Sequence, residues 1–475
     1  MATQSNNKKY KRLFSDTLAF TISNFASKIL VFLLIPLYTS VLSTNEYGVA
    51  DLITNTVNVL YPVLTLSVME ATLRFAFDSD VSRDEVLCNS ILVILISEGF
   101  IGLCSFFVGG LSQTLAAYWG WFAVIFFGHN LHQVLSQYSK GIGKTKVFAI
   151  SGVVQTVTII VCNIVGLLVL KWGLTAYLFS IAAGYFITSF YIVIAANIRV
   201  KVIRINWKLL REMLKFSIPM IPTIVAWWIS TSADKYIIIG YLGLAMSGIY
   251  SVSYKIPSIM TMFTNIFTSA WTISAIENVN EKDNSQFQKT VYDLFNAANV
   301  LACGVLILLC KLLARFLFAK EFFEAWHCVP MLLLAYVFAG MGGFMASSFR
   351  AVKYTKGLFS STIAGALANI VLNFFFIKMF GIMGAAFTTM IGFAVTFYIR
   401  SHTMQRIVNI KIDLLKDSLI YLLLAIDAYL IGHELRFSYV VGILTVMIIT
   451  VVYYRVFLTV INKGIAIIQH KVLKR

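Results

Sequence analysis

Apolar segments of about 20 residues, each long enough to cross about 30 Å of hydrocarbon as a helix, recur along almost the whole of this sequence. They fall near residues 18–42, 49–74, 86–109, 115–138, 147–170, 174–197, 214–240, 245–271, 291–318, 326–349, 357–377, 383–405, 414–434 and 438–461. A water-soluble domain has no means of burying that much apolar surface, and the chain is 59% hydrophobic against 12% charged. The expected fold is an all-α integral membrane protein of about 14 transmembrane helices, since helices satisfy their backbone groups without water.

A formal charge of +17 raises the question of nucleic acid, but the basic residues form neither a patch nor an arm, so no nucleic-acid partner is expected. They sort by side of the membrane instead. With the start of the chain on the cytoplasmic face, the outer loops hold only Lys171, Lys320, Lys378 and Arg436. The inner ones hold Lys8 to Arg12, Arg199 to Lys215, Arg350 to Lys356, Arg400 to Lys416 and the basic tail from Arg455. That asymmetry orients the protein, and an even span count puts both termini in the cytoplasm. Trp119, Trp121, Trp172 and Trp326 fall at outer ends and Trp207 and Trp271 at inner ones, where an aromatic belt is expected. The first apolar segment is too long for a cleaved signal core and is expected to stay as an anchor. Six unevenly spaced cysteines suggest neither a disulfide framework nor a metal site.

An internal repeat divides the spans. Lys146 matches Lys356 and Asn163 matches Asn373, 210 residues apart, while Gly173 matches Gly381 and Gly184 matches Gly392, 208 apart. A weaker match pairs Phe14-Ser15 with Phe216-Ser217 and Leu42…Gly48 with Leu242…Gly248. The unit holds six spans, so the copies enter the membrane from the same side, and a substrate site is expected between two lobes near the midplane. The expected divisions are 1–200 for an N-lobe, 201–410 for a C-lobe, and 411–475 for two further helices with a basic tail.

IPLYTSVLSTNEYGVADL (35–52), ATLRFAF (71–77), SADKYIIIGYLGLAMSGIYSVSYKIP (232–257) and GIMGAA (381–386) resemble the polysaccharide-transporter or O-antigen flippase family. That family belongs to the multidrug/oligosaccharidyl-lipid/polysaccharide exporter (MOP) superfamily. The resemblance implies a flippase of the bacterial inner membrane that carries a polyprenyl-diphosphate-linked oligosaccharide outward by alternating access. It also implies a lipid-linked substrate, membrane lipid around it and, among partners, a glycan polymerase and other export proteins. No cofactor is implied.

An anionic lipid diphosphate calls for fixed cations deep in the protein, where low dielectric strengthens attraction. Lys28 and Lys255 each lie about ten residues into a span, near the midplane at 1.5 Å per residue. In the resembled family basic residues on the first and eighth helices take this role. Lysine stands here where arginine is frequent, so bidentate clamping is lost. Asp234 and Lys235 sit nearer the outer end of span seven, as gate, cavity lining or anchor. Arg74 pairs with Glu70 one turn away or meets the headgroup at the inner mouth. Glu98 and Asp427 are deep acids that either bind a coupling ion or are held by local hydrogen bonds. His129 and His132 share a helix face without a third ligand, and Trp227 and Trp228 offer either a sugar-stacking surface or ordinary packing. All 6 prolines lie in spans, and Pro257 beside Lys255 is placed to bend span eight.

Enzymes fit poorly, because there is no phosphate-binding GxxxxGK[ST] loop and no sizeable outer loop to carry catalytic groups. A membrane glycan polymerase, a drug or cation antiporter of the same superfamily and a peptidoglycan-precursor flippase stay open as alternatives.

Overall fold

The computed structural model describes residues 32–78, 80–111, 113–199, 204–277, 284–352, 354–408, 410–456 and 458. Among them every regular element is helical. Six helices are long and apolar enough to cross a membrane, or up to eight if each of two bent pairs is one span. The chain forms two compact units, residues 1–228 and 229–475. Span one reaches the described residues only at its end, and Lys28 and the basic tail lie outside them, as does the Trp227 side chain.

The first unit holds α1 (Ile35–Val41), α2 (Thr44–Leu64), α3 (Val68–Ala76), α4 (Arg83–Leu111), α5 (Gln113–Ala117), α6 (Trp119–Gly141), α7 (Thr145–Asn163), α8 (Leu174–Ala195) and α9 (Trp207–Ser217). Helix α2 starts on a capping box: Ser43 accepts from the Glu46 amide at 3.2 Å, and Glu46 accepts from the Ser43 amide at 2.8 Å. It ends at a 62° bend into α3. Pro62 lies two residues before that end, and Leu66 and Ser67 both take positive φ. A break inside hydrocarbon frees carbonyls that water cannot reach, so the protein must supply donors. Thr65 Oγ1 donates to the Tyr61 carbonyl (2.6 Å), Ser67 to Pro62 (3.2 Å) and Ser97 of α4 to Leu64 (2.7 Å). Helix α6 is the hub, packing on α2, α3, α4, α7 and α8. Apolar residues on the outside, Phe106, Phe107 and Phe190 among them, face where lipid would be.

The chain passes between the units within α10 (Ile221–Leu242), then runs through α11 (Leu244–Ser253), α12 (Ser258–Glu277), α13 (Asn284–Leu317), a 3₁₀ turn (Lys320–Cys328), α14 (Val329–Ala351), α15 (Thr355–Ile407), α16 (Leu414–Gly432) and α17 (Ser438–Val452). The span ending in α14 is 83% buried, against 22% to 39% for the other five long spans, so α14 is the core of this unit. Helices α16 and the end of α17 are tied to α13 by a buried acid that the sequence reading passed over. Asp417 accepts from Tyr292 at 2.8 Å and Tyr453 at 3.0 Å, and Asn296 joins Tyr453 to Tyr421.

The matched landmarks take like conformations in the two units. Gly173 between α7 and α8 has φ 54°, ψ −130°, and Gly381 inside α15 has φ 60°, ψ −142°. Side chains are excluded from that region, so glycine is what lets each hairpin reverse, and α15 is two helices joined there. Across each hairpin an asparagine bonds a hydroxyl: Asn163 donates to Ser180 at 2.8 Å, and Asn373 accepts from Thr388. A side chain at Gly184 would meet Ile159, and one at Gly392 would meet Asn369 and the Gly365 carbonyl.

Three local expectations change. Trp326 and Trp271 are buried, at 1% and 3% exposure, rather than belt residues. Trp326 packs under the Lys311 ammonium, and Trp271 stacks on Phe344 and donates to Ser348, so both find partners inside. Trp172 and Trp207 are exposed. Arg74 bonds Asp78 at 2.6 Å instead of Glu70, because the chain turns after Ala76 and brings Asp78 one turn below it.

Replacing Gly381 by alanine forces a side chain into a glycine-only conformation, at a cost of about 1–3 kcal/mol. Thermal unfolding of the purified protein in detergent should drop by several degrees, whereas Gly99→Ala, in open space on a regular helix, should not lower it. Equal melting of G381A and wild type would contradict the assignment.

Candidate functional site

The second unit builds a polar interior around Asp234. This residue lies on α10 at 2% exposure, and its carboxylate needs donors that hydrocarbon cannot give. It accepts from the hydroxyls of Tyr250 (2.7 Å) and Tyr254 (2.9 Å), from Thr389 Oγ1 (3.3 Å), and from the Lys235 amide (2.9 Å). Tyr250 and Tyr254 are four apart on and just after α11, so one helical face presents both hydroxyls, 2.9 Å from each other. Thr389 accepts from Asn369 (3.5 Å), whose carbonyl oxygen accepts from Asn373 (3.1 Å), which in turn holds Thr388. One carboxyl thus links α10, α11 and both halves of α15. Lys235 places its ammonium 5.8 Å from the Tyr254 ring centre, and Tyr336 of α14 packs edge-on against that ring.

Lys255 lies next to this network, on the Tyr254–Pro257 turn that separates α11 from α12. Span eight, which Pro257 was expected to bend, is two helices here, and the lysine sits on the break. Pro257 has no amide hydrogen to continue the helix. Discontinuous helices put backbone and side-chain groups at depths where substrates and ions bind. The side chain of Lys255 is half-buried.

Asp234 was expected nearer the outer end of span seven, as gate, cavity lining or anchor. The structure buries it eight residues before the end of α10, and its hydroxyl partners come from helices farther along the chain. Tyr250, Tyr254, Asn369, Thr388 and Thr389 were not singled out from the sequence. The one local signal was the four-residue spacing of two tyrosines downstream of a buried acid. Counting 200 residues back, the offset of Leu42 and Leu242, gives buried Leu34 at the corresponding position.

The first unit has a tyrosine and amide cluster: Asn163 donates to Tyr38 (3.1 Å) and Ser180, and Tyr177 packs edge-on to Tyr38. Farther along α6, buried His129 lies between Tyr61 and Tyr185, with ring centres 5.0 and 5.4 Å away, and His132 packs on Tyr185. Neither ring nitrogen of His132 has a hydrogen-bond partner. Glu98 on α4 is half-buried in this unit. Asp427 on α16 is fully buried with both oxygens unpartnered, against Gly442 of α17 and near Cys303 and Cys310 of α13. Neither acid bonds to the Asp234 network, and Arg74 is an exposed partner of Asp78.

Tyr250→Phe and Tyr254→Phe each remove one donor from a buried carboxyl. Interhelical bonds of this sort contribute about 0.6–2 kcal/mol in membrane proteins. Each variant should melt a few degrees below wild type, and the double variant should depart from additivity because both hydroxyls serve one oxygen. Independent effects in the double-mutant cycle would contradict a shared cage.

The chain matches the family model described as polysaccharide biosynthesis protein over residues 13–276, more than half its length. An uncharacterized membrane protein of Methanocaldococcus jannaschii is 24% identical, the match covering 83% of this chain and 98% of the relative. A protein of Haloferax volcanii described as a probable low-salt glycan biosynthesis flippase is 21% identical over 52% of this chain and 53% of its own. Among solved structures, a lipid II flippase in an inward closed conformation superposes with a TM-score of 0.71 at 19% identity, covering 93% of this chain and 100% of that one. An inward-facing multidrug resistance transporter of the MOP superfamily reaches 0.68 at 14% identity, covering 82% and 94%. The solved structures agree with the all-helical, multi-pass architecture in fold, and the family match settles the membership: the chain belongs to the polysaccharide biosynthesis protein family.

Proposed function

We propose that this protein translocates a polyprenyl-diphosphate-linked oligosaccharide across the plasma membrane by alternating access, for surface polysaccharide synthesis. Membership of a family of lipid-linked glycan flippases and transporters supports the reaction class. The observation that carries the substrate's charge is Lys255 on the break between α11 and α12. A half-buried ammonium on an interrupted helix attracts a diphosphate strongly, since a medium of low dielectric screens it less than water. Lys28 is its proposed counterpart, Lys235 a second cation beside it, and Arg74 the residue that receives the headgroup at the inner mouth. In this reading the lobes are 1–200 and 201–410, with 411–475 an appended pair of helices and tail. Both termini are cytoplasmic in a bacterial inner membrane, and a glycan polymerase takes the product.

The Asp234 network suits a different task. Its carboxylate is enclosed by three hydroxyls and an amide, which leaves no open acidic face of the size an organic cation would need. That weighs against the drug or cation exporter reading. A ring of carboxylate, amide and hydroxyl oxygens is instead fit to take up a proton or a small monovalent cation from the gradient that drives the cycle. We place the coupling role here ahead of Glu98 and Asp427, whose unpartnered oxygens offer no such ring.

Expression in a host lacking its own flippase tests both assignments. Lys28→Ala and Lys255→Ala should each abolish surface glycan at unchanged protein level, with lipid-linked oligosaccharide accumulating on the inner leaflet. Full export by the double variant would overturn the diphosphate assignment. Asp234→Asn should leave lipid-linked substrate binding in place but make export insensitive to collapse of the ion gradient, at a rate about tenfold or more below wild type. Wild-type export that still responds to the gradient in D234N would move the coupling site elsewhere.

A further inference from the structure

Residues 199–217 carry Arg199, Lys201, Arg204, Lys208, Arg211 and Lys215, with Glu212 as the one acid. Three of these cations stand on α9, which is fastened to the first unit by its other face. The cap residue Asn206 accepts from the Leu209 amide at 3.1 Å and donates through its side chain to Glu85 of α4 at 2.7 Å. Its main chain exchanges two bonds with the side chain of Asn89, also on α4, at 3.1 and 3.2 Å. Beyond the cap, Leu209, Leu210 and Met213 are buried in one apolar core with Val68 and Met69 of α3 and Val86 and Leu87 of α4. Phe216 meets Phe75 of α3 edge-on at 6.2 Å.

A helix anchored along one face presents the other. With 3.6 residues per turn, Lys208, Arg211 and Lys215 fall within about 60° of one another around the axis. All three side chains are exposed, as are those of Arg199 and Arg204 before the helix. Trp207 borders this cationic stripe on one side at 69% exposure, and Phe216, at 42%, lies beyond Glu212 on the other. An exposed indole beside ammonium and guanidinium groups suits the boundary between hydrocarbon and water, where tryptophan rings sit among headgroups. Trp207–Ala226 is one leg of a bent candidate span, so the stripe leads directly into a helix of the membrane.

Like charges held at fixed spacing repel one another, and a single acid does not neutralise them. Anionic headgroups do, and attraction to them adds up over a basic helix face beside a membrane span. A zwitterionic headgroup carries its own ammonium and relieves the repulsion less. Free phosphate offers the charge but no apolar boundary for Trp207 and Phe216.

We propose that the exposed face of α9 is a docking surface for anionic phospholipid headgroups, which it selects over zwitterionic ones beside the first unit. The face is separate from the residues assigned to cargo and to coupling, and it does not depend on the proposed glycan substrate. On the orientation read from the charges it meets the cytoplasmic leaflet, where anionic lipids are concentrated.

The test uses the full-length protein in nanodiscs of phosphatidylcholine and phosphatidylglycerol in equal amounts, which carry the same lipids on both faces. Bromine is placed on the acyl chains of one lipid or the other, and quenching of Trp207 is taken as the difference between wild type and Trp207→Phe. Three cations at about fivefold each favour phosphatidylglycerol about 100-fold, so its brominated form should quench most of the Trp207 emission and brominated phosphatidylcholine little. Salt at about 0.5 M should remove that preference in wild type. The triple variant Lys208→Gln, Arg211→Gln, Lys215→Gln should remove it at an unchanged melting temperature, because these side chains lie off the buried face. Equal quenching by the two lipids in wild type, no quenching of Trp207 by either, or a preference that survives the salt or the triple variant would overturn the proposal. Displacement of phosphatidylglycerol from Trp207 by an equal amount of polyprenyl diphosphate would give the face to the cargo and overturn it as well.

Discussion

Hydrocarbon offers no hydrogen bonds, and the described structure is arranged around that constraint. Wherever the helical ladder is interrupted or a polar side chain turns inward, the answering group has to come from the protein itself. The break after α2 is answered by Thr65, Ser67 and Ser97. The carboxyl of Asp234 is answered by two tyrosines and a threonine, and that of Asp417 by two other tyrosines. Tyrosine suits this task because its ring packs like an apolar side chain while the hydroxyl travels far enough to reach a neighbouring helix. These bonds hold helices together where lipid gives no hydrophobic drive between them.

The same constraint makes the two units unequal. Both contain a helix hairpin turned by glycine and cross-bonded by asparagine, so their scaffolds are alike. In the second the network centres on Asp234, and Leu34 stands at the corresponding place in the first. On the proposed reading, Lys255 faces the cargo's charge from the break beside that centre, and the acid stays satisfied by its own helices.

Family membership came within reach of the sequence because its motifs are local. IPLYTSVLSTNEYG contains the capping box that starts α2, and the glycine of GIMGAA is the one that reverses α15. Residues whose role depends on distant partners were harder to read. Asp234 and Asp417 look alike in a hydropathy window, and neither shows which tyrosines will meet it. Arg400 resembles an ordinary inner-loop arginine until Gly342, Ser361 and Thr362 are seen converging on it. Trp326 and Trp271 occupy belt positions along the chain, yet inward-facing partners bury them. Lys28 and Trp227 lie outside the described residues or side chains, so their roles rest on the sequence and the proposed function.

By itself, then, the sequence determined that the chain is an all-helical membrane protein, and where glycine and proline interrupt its helices. Those properties follow from composition and from neighbours within about one helical turn. Tertiary structure alone decided which interior charges are satisfied and by what. It gave Asp234 its cage and brought Gly342, Ser361 and Thr362 onto the guanidinium of Arg400. The reason is physical: in a low-dielectric interior the effect of a charge depends on groups a few ångströms away in space, and the three hydroxyls that meet Asp234 lie 16 to 155 residues away along the chain.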